Sequence, residues 1–259
     1  MGTTQLRRHP HGRHRTVFYG KPLAVGVVLI ASIALVVLAV GFPDARQPAQ
    51  ATGELSTIHP PKYEYLRVSV LGDEYARGAG TRTKQGYADI LSRQLCWRTT
   101  VDAEPGSGFV VAQPGSNTYG FPNRIAAVTA NDPELIIVQS SAADPANGLA
   151  AVQSAVVLGE LKSRAPSARI VVVGPLDPPA VEPDTTQALR SEIRASADSA
   201  GVTFVDPLDE TTGRWLGQGE YSSNGFVPNS SGHASIARRL TGALNKLDLP
   251  RLYACDAVN

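Results

Sequence analysis

The chain has 259 residues, 42% of them hydrophobic and 18% charged, with a formal net charge of +1. That length holds one sizeable α/β domain with extra segments and leaves little room for a second. The near-neutral balance offers no global field for nucleic acid, and the two cysteines, Cys96 and Cys255, are too few for a disulfide framework and are not at a metal-binding spacing.

The charge is unevenly placed. Before residue 22 the charged residues are all basic: Arg7, Arg8, Arg13, Arg15 and Lys21, interspersed with His9, His11 and His14. Residues 22–42 then form an uninterrupted uncharged run, PLAVGVVLIASIALVVLAVGF. A helix needs about 20 apolar residues to cross a bilayer core, and this run meets that length. The basic flank precedes it and Asp44 follows, so the positive-inside rule puts the N-terminus in the cytoplasm and the rest outside. We therefore read residues 1–21 as a basic cytoplasmic tail and 22–42 as a transmembrane signal anchor. A cleaved signal peptide is the alternative. Its apolar core normally runs only ~7–15 residues, and the small-residue pattern Ala49-Gln50-Ala51 lies well beyond the apolar end. Residues 43–64, with Pro43, Pro48, Pro60 and Pro61 and no apolar period, read as an extracytoplasmic linker.

From residue 65 to 259 apolar runs alternate with helical stripes. Residues 67–71 predict a strand ending at Gly72. A helix is predicted over 84–95, with Tyr87, Ile90, Leu91 and Leu95 on one face. A second strand is expected to end near Thr100. Residues 135–138 form a continuous apolar run, as in a strand buried on both faces. Leu149, Val152 and Val156 mark the apolar stripe of the next helix. Residues 169–173 predict a strand stopped by Gly174-Pro175, and Leu189, Ile193 and Ala197 a helix ending at Gly201. A short strand over 202–205 and a helix over 231–246, with Ile236, Leu240, Ala243 and Leu244 inward, complete the pattern. Such alternation predicts a parallel sheet with helices on both faces, and ligands at the carboxyl ends of its strands.

Several of those strand ends resemble the sequence blocks of the SGNH (GDSL-type) hydrolases. Val70-Leu71-Gly72-Asp73-Glu74-Tyr75 resembles the first block, strand-Gly-Asp-Ser-Tyr. The stretch from Val101 to Phe109, with Pro105-Gly106-Ser107-Gly108, is similar to the second. Pro133-Glu134-Leu135, its strand and Ser141-Ala142-Ala143-Asp144 resemble the third, Pro-Asp-Leu-strand-Gly-x-Asn-Asp. Asn224-Gly225-Phe226-Val227-Pro228, followed by Gly232-His233, resembles the last, Asp-Gly-x-His-Pro and Gly-His. The resemblance implies a three-layer α/β/α flavodoxin-like fold with a parallel sheet, preceded here by one transmembrane helix. It implies no cofactor and no metal.

It also implies a serine nucleophile, a histidine base with its aspartate, and an oxyanion hole built by a serine amide, a glycine amide and an asparagine. Position by position this chain departs from that set. Glu74 stands for the nucleophile, Ala143 for the asparagine, Ser141 for the third-block glycine, Asn224 for the aspartate and Val227 for the histidine. Gly106 remains as an oxyanion amide, and His233 is expected at the start of the final helix rather than as the base. Losing a triad member costs up to about 10⁶ in turnover, so serine esterase chemistry is not expected. Asp73, Glu74, Gly106, Ser141, Asp144 and Asn224 are the candidate lining of a repurposed pocket, where carboxylates could hold a hard cation, recognise sugar hydroxyls or perform acid–base work. Three functions stay open: a non-catalytic ectodomain binding envelope carbohydrate or a membrane-protein partner, a divergent envelope esterase, acyl-transfer or glycan-active enzyme, and a structural accessory subunit of a membrane complex. Both cysteines fall outside the membrane in this topology, where a Cys96–Cys255 bridge would pin the tail to the domain, with two buried thiols as the alternative.

Overall fold

A computed structural model describes residues 65–111, 120–247 and 249. The chain divides into two units, Met1–Pro60 and Pro61–Asn259, and the described residues all belong to the second. The predicted tail, anchor and linker lie outside them. Among the described residues no helix is long and apolar enough to cross a membrane.

Valine, isoleucine and leucine write the sheet. Strands β1 (Arg67–Gly72), β2 (Arg98–Ala103), β3 (Leu135–Gln139), β4 (Arg169–Val173) and β5 (Thr203–Val205) are all parallel, in the order β2-β1-β3-β4-β5. The central strands are buried on both sides, and successive side chains feed opposite faces. Val68, Val70, Leu135, Ile137, Val171 and Val173 pack on one side with helices α1 (Tyr87–Gln94) and α5 (Ser230–Leu244). Leu71, Ile136, Val138, Ile170 and Val172 pack on the other with α2 (Ile125–Thr129), α3 (Leu149–Arg164) and α4 (Pro183–Ser199). This is the expected α/β layering, in the flavodoxin-like strand order. The chain leaves β1 to one side for β2 and returns to the other side for β3. Ligands bind at that switch point, outside the strand ends.

Three expectations need correction. The first helix begins at Tyr87 rather than at 84, because Lys84 has φ +51° and Gly86 serves as its N-cap, donating its N–H to Asp89 Oδ2 at 2.9 Å. Strand β2 runs on to Ala103 instead of ending near Thr100, because it stays in register with β1 as far as the pair Gly72 and Ala103. The last helix spans Ser230–Leu244, started by Asn229, whose Oδ1 accepts from the N–H groups of Ser231 and Gly232. On α3 the stripe read from the sequence is the outer one. Leu149, Val152 and Val156 face solvent, at 49%, 58% and 53% exposure, while Ala150, Ser154, Val157, Leu158 and Leu161 face the core. The helix carries two apolar stripes, and the one holding both leucines of its C-terminal half interlocks with the sheet.

Candidate functional site

The carboxyl end of β1 delivers Gly72, Asp73 and Glu74 to the switch point. Gly72 cannot be larger: a Cβ there would stand 2.8 Å from the Ala76 methyl. Glu74 is half-buried, and its Oε2 accepts the Gly106 N–H at 2.8 Å. Gly106 sits in the turn after β2 with φ +66°, a left-handed conformation that favours glycine. The amide expected to receive an oxyanion therefore receives a side-chain carboxylate of the chain itself.

Asp73 lies beside it and is fully buried. It accepts the Tyr75 N–H at 2.9 Å. Burial first, and the neighbouring Glu74 charge second, push its carboxyl up to about 8, although bonds to Tyr75, Ser141 and Gln139 pull the other way. Asp73 is thus protonated at neutral pH. Beside it Gln139 Nε2 donates to the Ser140 carbonyl at 2.7 Å, and Gln139 Oε1 is buried without a hydrogen-bond partner. Ser141 belongs to this buried group, bonded to Asp73.

The remaining candidates are committed to holding loops. Asp144 accepts the N–H groups of Phe109, Val110 and Val111 at 2.8, 2.9 and 3.1 Å. Burial still pushes its carboxyl upward against those three bonds. Gly108 makes room for it, since a Cβ there would lie 2.4 Å from an Asp144 oxygen. Asn224 is exposed and closes its own turn, accepting from Ser222 Oγ at 3.0 Å and from the Phe226 N–H at 2.9 Å. Val227 packs against the apolar core on the α1/α5 side. Ala143 is exposed and brings no side-chain donor. His233 starts α5 as expected. It is buried, its Nε2 donates to the Ala79 carbonyl at 2.8 Å, and burial holds its pKa down. The β1 loop and the last block do meet, through the Tyr75 hydroxyl donating to the Phe226 carbonyl and a ring contact at 6.2 Å. The structure therefore joins Glu74 to Gly106 and Asp73 to Ser141, while Asp144 and Asn224 stabilise separate turns. Among the described residues no group of three or more His, Cys, Asp or Glu side chains is arranged to hold a metal ion.

Residues 70–235 match the GDSL-like lipase/acylhydrolase family, and that stretch covers more than half of the chain. The chain belongs to this family. It is 26% identical over 231 residues to a GDSL lipase of Mycobacterium tuberculosis, covering 83% of this chain and 94% of that one. Solved structures of the same fold include a Lactobacillus plantarum protein (TM-score 0.58, 18% identity, 71% of this chain and 98% of that one). A lipase/acylhydrolase of Enterococcus faecalis gives a TM-score of 0.56 at 10% identity, covering 72% and 99%. A family two carbohydrate esterase of Clostridium thermocellum gives 0.57 at 16%, covering 70% and 64%.

One residue of this GDSL-like site escaped the sequence reading. Arg124, only 5% exposed, donates to Asp102 Oδ1 at 2.7 Å, to the Gly72 carbonyl at 2.9 Å and to Ser107 Oγ at 2.9 Å. Its guanidinium also stands 5.2 Å from the Phe121 ring centre. It fastens the ends of β1 and β2 and the loop carrying Gly106. Nothing local in Pro122-Asn123-Arg124 announces that task, because its partners are 17 to 52 residues away.

Proposed function

We propose that this chain is a membrane-anchored, extracytoplasmic member of the GDSL-like family without serine-esterase activity, whose altered site binds a cell-envelope ligand or a membrane-protein partner. The observation that carries the reading is the bond from the Gly106 N–H to Glu74 Oε2 at 2.8 Å. An oxyanion hole works because its donors are unspent until charge develops on the substrate. Here the glycine donor is spent on a resident carboxylate, which is also the side chain that replaces the nucleophile. The base position holds a partly buried apolar side chain packed against the core, and valine can neither accept nor deliver a proton. The anchoring rests on residues 22–42 and their basic flank. A Cys96–Cys255 bridge between the chain's two cysteines belongs to the same extracytoplasmic picture, since thiols outside the membrane tend to be oxidised.

The test is turnover of short-chain nitrophenyl esters by the full-length protein, together with labelling by a serine-reactive phosphonate. Neither is expected, and turnover or a covalent adduct in the unmodified protein would refute the reading. Glu74→Ser alone should also be inert, because it restores a hydroxyl without a base. Only the combination Glu74→Ser, Ala143→Asn, Asn224→Asp and Val227→His rebuilds the full set, so measurable hydrolysis is expected from that variant alone.

A further inference from the structure

A second recess lies along the outer edge of the sheet and shares no residue with the Glu74 site. It is a groove of about 600 Å³ between α4, β5 and α5, and its walls carry Arg190, Arg194, Arg238, Arg239 and Lys246. Two carboxylates, Asp206 and Asp209, also line it. Three positive charges are therefore in excess in one recess of a chain whose net charge is only +1.

The two walls are differently prepared. On the α4 side Asp206 fixes the guanidinium groups. Arg190 donates from Nε to both Asp206 oxygens at 3.0 Å, and Arg194 bonds the same carboxylate while stacking 4.7 Å from the Phe204 ring centre. Arg190 also bonds Gln187 at 3.0 Å, and it feels Asp209 and Glu210. On the α5 side, Arg238 donates to Ser235 Oγ at 3.0 Å and Arg239 to the Thr212 carbonyl at 2.9 Å. Those bonds orient two exposed guanidinium groups without neutralising them. Gly242, on the same helix and lining the groove, has nothing within 4 Å of where its Cβ would stand, so the recess stays open above it.

Several forked donors converging on one space match a group with two or more charged oxygens. We propose that this groove is a binding site for a phosphate-bearing ligand, held by Arg238, Arg239 and Lys246 opposite the fixed Arg190–Arg194 pair.

Thermal unfolding of the full-length chain in neutral detergent tests it, with pyrophosphate titrated against chloride at constant ionic strength. A parallel arm replaces pyrophosphate by phosphatidylglycerol doped into the micelles, with phosphatidylcholine as the neutral control. A saturable rise in Tm in either arm is expected, and the responding arm tells whether the phosphate is soluble or on a lipid headgroup. Arg238→Gln with Arg239→Gln should weaken the response by about tenfold or more. Gly242→Glu places a carboxylate in the groove at a helical position with free space, so it should fold normally and abolish the response. No saturable shift in either arm, or a shift that survives both variants, overturns the proposal. Ester-hydrolysis assays are not involved, so this outcome is independent of the Glu74 reading.

Discussion

At the scale of single residues, the site is governed by where carboxyl groups keep or lose their protons. Asp73 has an ordinary carboxyl reference of 3.8 when unfolded and is pushed to about 8 when buried beside Glu74. Between those values the unfolded chain releases this proton and the native chain retains it, so stability falls as pH rises from about 4 to about 8. Asp144 contributes with the same sign, since burial raises it too. His233 acts oppositely: its pKa is depressed by burial, so its contribution is lost as pH falls below 6.5. Substituting Asp73 therefore separates its share from that of Asp144. Urea denaturation between about pH 4 and 8 should show a shallower loss of stability with rising pH in Asp73→Asn, which mimics the neutral acid, than in the unmodified chain. An unchanged slope in Asp73→Asn would place the proton elsewhere. The residues proposed at the family's site positions, Glu74, Ala143, Asn224 and Val227, are assigned from the sequence alone, each by its offset within a local block. The partners of Asp144 and Arg124 are not readable there, because they are set by loops that come together only in the folded sheet.

At the scale of elements, a strand buried on both faces announces itself by composition, which is why residues 135–138 and 169–173 were legible as β3 and β4. Stripes on α4 and α5 were equally clear, and Leu189, Ile193, Leu240 and Leu244 are all buried. Helix α3 shows where periodicity alone fails. Leu149-Val152-Val156 and Val157-Leu158-Leu161 both satisfy a helical period, and nothing local says which meets the sheet. The decision is made by packing against β3, β4 and α4, whose residues join Leu158 and Leu161 in one core. Leu158→Ala should therefore cost about 2–5 kcal/mol. Val152→Ala, more than half exposed, should change stability by no more than about 0.5 kcal/mol. Chemical denaturation of the two variants checks the assignment, and a reversed order of effects would put the Leu149-Val152-Val156 stripe against the sheet.

At the scale of the whole chain, the predicted anchor and the GDSL-like domain rest on separate physics. The domain is specified by cooperating strands and helices, and among its described residues no helix is long and apolar enough to cross a bilayer. The proposed anchor rests on 21 uncharged residues and a basic flank, and such a segment would need no partner to insert. A helix of that length would span about 30 Å, close to the hydrocarbon thickness, and its insertion would leave no unpaired backbone group in lipid. The full-length chain should therefore stay with membranes through alkaline carbonate extraction, whereas a chain starting at residue 61 should be released to the soluble fraction. With a C-terminal tag, the mass of the membrane-bound product separates the two alternatives for this segment. Full mass means an uncleaved anchor. A product beginning after Ala51, found in the soluble fraction, means a signal peptide whose cleavage site is Ala49-Gln50-Ala51, and would remove the anchor from the proposed function while leaving the Glu74–Gly106 bond untouched. Protease added outside intact cells should digest the domain and spare the tail carrying Arg7, Arg8, Arg13 and Arg15, because moving those charges across the bilayer is the step the basic flank opposes.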